Sequence, residues 1–158
     1  MELYFFRHAL AEDAVGMISD FDRKLTPEGI NRTRQAAQIL KALGVAPTRL
    51  YSSPLVRARQ TAELLSAELG IPVQMRSELA PGFGYGELRT LVHDASANDH
   101  IMLVGHEPDF SVSISALTGG SEIVMKKGGL ARIEVTGYQP LQGALVWLIA
   151  PKVFQALG

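Results

Sequence analysis

The chain has 158 residues, of which 47% are apolar, and a formal net charge of −1 at pH 7. This length accommodates one domain with a full hydrophobic core, residues 1–158, and is short for two ordinary domains. The nearly balanced charge excludes the strongly basic surface of a nonspecific nucleic-acid binder, so we expect no nucleic acid among the partners.

The chain contains no cysteine, which excludes disulfide bonds, cysteine nucleophiles and thiolate metal sites. Its longest apolar run, from Ala144 to Ala150, is much shorter than the roughly 18 residues of a membrane span. Arg7 and His8 interrupt the first apolar run, which is unlike a secretory signal. These features favour a cytoplasmic protein that does not contact a membrane.

The first structural element is a short run of aromatic and aliphatic residues, 3–6, which predicts a buried β-strand. Arg7 and His8 follow it directly. In an open α/β sheet, ligands bind outside the carboxyl ends of the strands, so these two side chains are candidates for a binding site. Taken alone, the same pair is equally consistent with a strand that simply leaves the core.

Residues 9–24 lack a sustained hydrophobic period and are interpreted as a loop that covers this edge of the sheet. A helix is predicted next, because Thr26 is a favourable N-cap residue and Pro27 suits the first helical position. Gly44 is a favourable stop for this helix. Its apolar stripe consists of Ile30, Ala37 and Leu40.

A second strand is predicted at residues 49–52. Ser52-Ser53-Pro54 then has the pattern of a serine cap followed by proline at the first helical position, which predicts a second helix. This helix is expected to end at Gly70. Its apolar residues recur at spacings of three and four: Leu55, Ala58, Ala62, Leu65 and Leu69.

Two arginines near these helices are candidate anion ligands. Arg57 lies in the first turns of the second helix, where the helix dipole disfavours a cation unless an anion lies nearby. Arg23 lies just before the first helix and, taken alone, is better explained as a solvated loop cation.

The rest of the chain continues the alternation of strands and helices. Strands are predicted at residues 71–75, 101–104, 131–136 and 144–149, helices at residues 87–93 and 110–117, and an irregular glycine-rich loop at residues 78–86. His106 follows the 101–104 strand much as His8 follows the first. The alternation predicts a three-layer α/β/α sandwich with a mostly parallel sheet, to which the last two strands add an antiparallel pair.

The sequence does not favour a metal or nucleotide site. His106-Glu107 resembles the start of a zinc-binding His-Glu-x-x-His motif, but position 110 is Phe. The glycine-rich loop lacks the lysine of a phosphate-binding loop for nucleoside triphosphates. We therefore expect neither a metal ion nor a cofactor. The two histidines and several arginines suit a dianionic ligand better.

Three separated motifs resemble the histidine phosphatase superfamily, which is related to phosphoglycerate mutase. They are Arg7-His8, Ser52-Ser53-Pro54-Leu55 with Arg57-Ala58 and Gln60-Thr61-Ala62, and Gly105-His106. With Arg23-Lys24-Leu25-Thr26-Pro27 and Val104-Gly105-His106-Glu107-Pro108, in a chain this short, they are most similar to the SixA-type phosphohistidine phosphatases. The resemblance implies the phosphoglycerate mutase-like α/β/α fold.

The resemblance implies that His8 is the nucleophile and is phosphorylated during turnover. It also implies that Arg7, Arg57 and His106 form the phosphate pocket, with Arg23 as an additional contact. Phosphoryl transfer needs positioning and charge stabilisation at the equatorial oxygens, which arginine supplies through its forked donors. Neighbouring arginines also disfavour imidazolium, which keeps His8 nucleophilic near neutral pH.

The chain departs from the superfamily after the nucleophile, and its proton donor is ambiguous. Ala9 replaces the usual glycine after the nucleophilic histidine, and its Cβ disfavours a positive φ. Mutase-like members use a carboxylate from the region after the third strand, where this chain offers Glu78 and, less plausibly, Glu87. Glu78 is equally consistent with a surface acid.

The function expected from the sequence is removal of phosphate from phosphohistidine on a protein, through a phosphohistidine enzyme intermediate. The partner would be a phosphohistidine-containing protein such as a phosphotransfer domain. The chain has no long insertion to build a lid over a small metabolite, which favours a protein substrate. Two alternatives stay open: a phosphatase of small phosphate esters, and a noncatalytic phosphate-binding module, which would need cations but no nucleophile.

Overall fold

The computed structural model describes all 158 residues, which form a six-stranded sheet and five α-helices. The strands are β1 (Glu2–Arg7), β2 (Arg49–Ser52), β3 (Val73–Met75), β4 (His100–Gly105), β5 (Leu130–Tyr138) and β6 (Leu141–Ile149). The helices are α1 (Pro27–Ala42), α2 (Val56–Leu69), α3 (Tyr85–Val92), α4 (Asp109–Thr118) and α5 (Pro151–Leu157).

Helix α1 begins as its sequence predicts. The Thr26 hydroxyl accepts a hydrogen bond from the Gly29 amide at 3.0 Å, and Pro27 occupies the first turn. The predicted apolar stripe is wrong at one position, because Ile30 is only half-buried. The other two predicted positions, Ala37 and Leu40, are buried, and α1 also buries Thr33 and Ala36.

Helix α2 begins later than the serine cap predicts. It starts at Val56 with Leu55 at the N-cap position, and no side chain caps it. The predicted cap at Ser52 and Ser53, with Pro54 as the first helical residue, is therefore wrong. The Ser53 hydroxyl is engaged by a distant part of the chain, as described below, and local sequence carries no signal for that contact.

The strand order is β3-β2-β4-β1-β5-β6. The first four strands along this order run parallel to one another, β5 is antiparallel to β1, and β6 is antiparallel to β5. The prediction of a mostly parallel sheet with an antiparallel pair at its edge is confirmed. As a result, β1, β2 and β4 all point their carboxyl ends towards the same edge.

The helices cover the sheet on both faces and complete a three-layer α/β/α sandwich. Successive strand residues point to opposite faces, so Phe5 belongs to one core and Phe6 to the other. The first core lies under α3 and α4 and includes Leu88, Leu91, Phe110 and Ile114. The second lies under α1, α2 and α5 and includes Ala37, Leu40, Ala62, Leu65 and Phe154.

Two further predictions need correction. Residues 78–86 are not irregular throughout, because a 3₁₀ turn spans Ser77–Leu79 and α3 begins at Tyr85. The Glu87 carboxylate accepts a hydrogen bond from the Gly84 amide at 3.0 Å, which stabilises this glycine-rich helix start. Helix α5 was not predicted, since a seven-residue helix with Phe154 as its one buried side chain is too short to show a hydrophobic period.

None of the helices combines the length and apolar character needed to cross a membrane.

Candidate active site

Three polar side chains lie next to one another at the carboxyl edge of the sheet, each directly after a strand. They are His8 after β1, Ser53 after β2 and His106 after β4, which lies between the other two strands. The His8 amide donates to the Gly105 carbonyl at 3.0 Å, and the Ser53 amide donates to the Val104 carbonyl at 3.0 Å. The parallel register therefore extends one residue beyond the strands and aligns the three side chains.

The glycine before His106 is required by packing. A Cβ built on Gly105 would lie 2.6 Å from the Phe110 ring. That ring is fully buried and packs edge to face on Phe5 with a centroid separation of 5.1 Å. A larger residue at position 105 would force this ring, and with it the start of α4, away from the sheet.

His8 is held in one tautomer. Its Nδ1 lies 2.8 Å from the Ala9 carbonyl oxygen, which can only accept a hydrogen bond, so Nδ1 of the neutral ring carries the proton. Its Nε2 is therefore unprotonated and accepts a hydrogen bond from Nε of Arg57 at 3.3 Å. Nε2 is therefore the nitrogen of His8 whose lone pair is capable of nucleophilic attack.

The surroundings of His8 keep its ring neutral. Burial lowers the pKa of His8 to about 3, and the positive charges of Arg57 and Arg7 act in the same direction. The hydrogen bond to the Ala9 carbonyl opposes this shift only partly. The expectation that neighbouring arginines disfavour imidazolium is consistent with this pKa, although burial is the larger cause.

His106 lies beside His8, with a centroid separation of 5.3 Å between the two rings. Its Nε2 lies 2.7 Å from the Ser53 hydroxyl, whereas its buried Nδ1 has no hydrogen-bond partner. Burial, together with the charge of Arg57, lowers the pKa of His106 to about 4. Both imidazoles are therefore neutral near pH 7.

Arg57 connects the nucleophile to the loop 9–24. Its Nε donates to His8, and its NH1 donates to the Asp20 carbonyl at 2.7 Å. Its NH2 lies 3.3 Å from the Asp20 carboxylate. Burial lowers the pKa of this guanidinium, and Asp20 offsets part of that cost. The Arg57 side chain is consequently held in place between His8 and Asp20.

Arg7 and Arg23 are placed differently around this centre. Arg7 donates from NH1 to the Met125 carbonyl at 2.7 Å, while its buried Nε has no partner. Arg23 does not contact either histidine directly. Its NH1 pairs with the Asp20 carboxylate at 2.9 Å and its Nε donates to the Glu12 carbonyl at 2.6 Å. Arg23 therefore acts on the site through Asp20.

The substitution at position 9 causes no backbone strain, because no residue other than glycine has a positive φ. The Ala9 amide donates to the Thr61 hydroxyl at 3.2 Å, and this hydroxyl donates to the Arg57 carbonyl at 2.8 Å. Thr61 thus links the backbone after His8 to the helix that carries Arg57. This amide is engaged within the protein and does not point freely at a ligand.

Glu78 lies in the 3₁₀ turn after β3, the edge strand of the sheet, and this turn packs against β4. Its carboxylate pairs with Arg76 at 2.9 Å, which lowers the pKa of Glu78. An acid that is held ionised in this way is a poor proton donor at neutral pH. Its role in proton transfer stays a prediction.

Sequence reasoning assigned no role to three residues that shape the site. Asp20 lies in a loop without any pattern, and no local signal distinguishes it from the other acids there. Ser53 had a signal that favoured a helix cap instead. Thr61 is a buried polar residue between Ala58 and Ala62 on the buried face of α2. A polar residue at such a position indicates a tertiary hydrogen bond and could have been recognised from the sequence.

The site combines buried hydrogen-bond donors with an unprotonated imidazole nitrogen on His8. No group of three or more histidine, aspartate or glutamate side chains is placed to hold a metal ion. Four buried side-chain polar atoms lack partners, and two of them, Nε of Arg7 and Nδ1 of His106, belong to residues whose charges act on His8. Such an arrangement can bind a phosphoryl group and accept it on nitrogen.

Sequence comparison agrees with this geometry. The histidine phosphatase superfamily (branch 1) matches residues 3–107. An uncharacterized protein of Picosynechococcus sp. is 40% identical over 136 residues, which cover 82% of each chain. The phosphohistidine phosphatase SixA of Escherichia coli is 28% identical over 157 residues, covering 96% of this chain and 94% of SixA.

Comparison with solved structures supports the fold. The protein histidine phosphatase SixA complexed with tungstate superposes with a TM-score of 0.84 at 25% identity, covering 97% of this chain and 99% of that one. A mycobacterial glucosyl-3-phosphoglycerate phosphatase gives a TM-score of 0.73 at 18% identity, covering 94% and 99% of the two chains. The fold therefore supports phosphatases with protein and with small-molecule substrates.

Proposed function

This chain belongs to the histidine phosphatase superfamily, and we propose that it removes phosphate from phosphohistidine on other proteins. The reaction would proceed through a covalent intermediate on Nε2 of His8. The relatives named SixA support this substrate class, since they are similar to this chain in sequence and in structure over nearly its whole length.

The observation that carries the proposal is the pairing of a neutral, tautomerically fixed His8 with buried donors that lack partners. Burying an N–H without a hydrogen bond costs about 1 to 3 kcal/mol, so such donors are uncommon in a folded protein. Nε of Arg7 and Nδ1 of His106 are both of this kind. A phosphoryl group bound at His8 would supply the oxygens that these two donors need.

The proposed chemistry has two displacements at phosphorus. In the first, the Nε2 lone pair of His8 forms a P–N bond while the P–N bond to the substrate histidine breaks. The other nitrogen of the substrate ring is protonated, so the leaving nitrogen keeps the bonding electrons and the ring departs as a neutral imidazole. In the second, water attacks phospho-His8, the new P–N bond breaks, and inorganic phosphate leaves with Nε2 restored. Arg7, Arg57 and His106 would bind the equatorial oxygens in both steps. Arg23 would hold the Asp20 carboxylate in place through their ion pair.

The acids near the site favour an imidazole leaving group over an alkoxide. The pKa of Asp20 is lowered chiefly by Arg23 and further by Arg57, and the pKa of Glu78 is lowered chiefly by Arg76. Neither acid is therefore suited to protonate a strongly basic alkoxide. A histidine leaving group titrates near pH 6.5 and needs much less help from an enzyme acid.

The experiment compares a phosphotransfer domain phosphorylated on histidine with a panel of small phosphate esters. We expect faster turnover of the phosphohistidine protein. Turnover stopped under alkaline conditions, where the P–N bond survives, should place phosphate on a peptide that contains His8. His8→Asn should abolish both signals, whereas the exposed His93→Asn should change neither. Phosphate on His106, or turnover of esters alone, would contradict the proposal.

A further inference from the structure

The loop 9–24 carries an unusual concentration of exposed apolar side chains. The whole chain exposes 14 large hydrophobic side chains, and four of them fall within residues 15–21. We call these four the apolar tip: Val15, Met17, Ile18 and Phe21. Exposed apolar residues are ordinary when scattered singly, but a cluster of this kind marks an interaction surface.

The apolar tip is attached directly to the active site through backbone contacts. The Asp20 carbonyl accepts from Arg57 at 2.7 Å, and the Phe21 carbonyl accepts from the Val56 amide at 3.1 Å. The Ser19 hydroxyl donates to the Asp22 carboxylate at 2.7 Å and closes a turn at this point. These contacts fix the backbone of the loop and leave the apolar side chains in solvent.

The apolar tip faces outward, whereas a small substrate would be enclosed by the groups around His8. Met17 is fully exposed, and Val15 is 67% exposed. The side chains of His8, Arg57 and His106, in contrast, are almost completely buried. Apolar side chains on the outer side of a loop do not contact a ligand as small as a phosphate ester. They fit a partner large enough to rest on the outside of the loop while one of its side chains enters the site.

We propose that the apolar tip is the docking surface for the protein that carries the phosphohistidine, an inference that rests on the proposed function. Docking would bury apolar area and bring the phosphorylated side chain to His8. The surrounding loop has four acids against two bases. The partner surface is therefore apolar next to its phosphohistidine, with basic residues at the rim.

The test removes apolar area from the tip without touching the contacts that anchor the loop. Met17→Ser/Ile18→Ser changes two exposed side chains and retains Phe21, whose carbonyl contacts α2. The control is Leu43→Ser/Tyr138→Ser, which alters side chains that are 61% and 50% exposed at the opposite edge of the sheet. Both variants are assayed on a phosphotransfer domain phosphorylated on histidine and on free phosphohistidine.

We expect the tip variant to lose at least tenfold in kcat/KM on the phosphorylated domain, chiefly through KM, and less than twofold on free phosphohistidine. The control should change by less than twofold on both substrates. An equal loss on both substrates would overturn the inference, since the tip would then act inside the site. Full activity of the tip variant on the phosphorylated domain would overturn it as well.

The outcomes separate this inference from the proposed function. If the unmodified protein hydrolyses neither phosphohistidine substrate and turns over only esters, the proposed function fails and the docking surface fails with it. If the unmodified protein acts on the phosphorylated domain and the tip variant does so equally well, only the docking surface fails. Sedimentation adds a further outcome: self-association that the tip variant abolishes, with full activity retained, would make a second copy the occupant.

Discussion

The Ser53 hydroxyl lies 2.7 Å from Nε2 of His106. Its oxygen accepts a hydrogen bond from the Leu55 amide at 3.3 Å, and we infer that its single proton is donated to Nε2 of His106. The neutral His106 ring then carries its own proton on Nδ1, the buried atom that has no partner. In this tautomer Nδ1 of His106 would be a hydrogen-bond donor for a phosphoryl oxygen.

Ser53→Ala should weaken phosphate binding because it releases His106 from this tautomer. Nδ1 could then present a lone pair to the anion, and the inhibition constant for inorganic phosphate should rise about tenfold, or ~1.4 kcal/mol. The defect should shrink as the pH is lowered. Without the donor on Nε2, the pKa of His106 rises, and a protonated ring restores the Nδ1 donor. Phosphate inhibition measured from pH 5 to pH 8 checks both effects.

Two variants control this experiment. Ser113→Ala removes another buried serine hydroxyl, which has no hydrogen-bond partner, and should leave phosphate inhibition unchanged. Ser53→Thr keeps the hydroxyl and should retain most of the affinity if the added methyl group fits. Nitrogen NMR of the imidazole gives a direct reading, since protonated and unprotonated ring nitrogens differ in chemical shift. A defect in Ser53→Ala that is equal at all pH values would indicate a packing role only.

Asp20→Asn should strengthen the binding of inorganic phosphate. The Asp20 carboxylate lies at the Arg57 guanidinium and is 61% exposed, so it repels an incoming dianion only through a solvent-screened interaction. The expected decrease in the phosphate inhibition constant is therefore about threefold to fivefold, less than about 1 kcal/mol. The difference should diminish in 1 M salt. Asp22→Asn neutralises an acid of the same loop that does not contact Arg57 and should have a smaller effect.

Arg57→Ala should lower kcat/KM through a loss of about 2 to 4 kcal/mol of transition-state stabilisation. This is the scale for removal of one preorganised electrostatic donor. The variant should fold, because α2 buries Ala58, Ala62 and Leu65 independently of it. Arg57→Lys should not restore activity, since one ammonium cannot donate to His8 and to Asp20 with the geometry of a guanidinium. Steady-state kinetics and thermal unfolding measure the two properties.

The same helix supplies the matched control for Arg57. Arg59 is an exposed arginine that lies near Glu63 at 3.9 Å, and Arg59→Ala should change activity by less than twofold. Arg23→Ala should fall between the two variants, because Arg23 reaches Arg57 only through Asp20. Near-normal activity of a folded Arg57→Ala variant would remove this residue from the phosphate pocket.

The fold and the placement of the two candidate histidines after their strands follow from local sequence because their signals are local. A buried strand that ends in a charged or imidazole side chain is visible at His8 and again at His106, and the strand and helix alternation fixes the direction of the strands. The register that aligns the two histidines and the tautomer of each ring are properties of the sheet. No single stretch of sequence contains them.

The error at the start of α2 has a tertiary origin. Ser53 has the pattern of a helix cap, yet its hydroxyl is used 53 residues away along the chain. There a tertiary hydrogen bond outweighs a local preference of about 1 kcal/mol.

Acidification should destabilise the protein before its carboxylates titrate. The pKa of His8 is lowered from 6.5 to about 3 and that of His106 to about 4, so the unfolded chain binds up to two more protons than the native protein between pH 6 and pH 4.5. Stability from these groups is complete above pH 6.5 and falls as the pH falls, with a slope approaching 1.4 kcal/mol per pH unit for each histidine, or about 2.7 in total.

Urea unfolding at a series of pH values measures this slope. His8→Asn should reduce it by about half, because one of the two titrating groups is gone. The exposed His93→Asn is the control and should leave the slope unchanged. A stability that is constant from pH 7 to pH 5 would contradict the burial of two neutral imidazoles.

The last prediction distinguishes the two enzymatic functions through Glu78. Expulsion of an alkoxide from a phosphate ester needs a proton donor, whereas expulsion of imidazole needs little help. Because Glu78 pairs with Arg76 and is held ionised, Glu78→Gln should change phosphohistidine hydrolysis by less than about tenfold, roughly 1.4 kcal/mol. Only an ester activity that uses Glu78 as its proton donor should fall further. Arg76→Gln breaks the same ion pair from the other side and controls for a local structural effect. If Glu78→Gln abolished both activities while Arg76→Gln kept them, and His8 were still phosphorylated slowly, Glu78 would be a general acid and the protein an ester phosphatase.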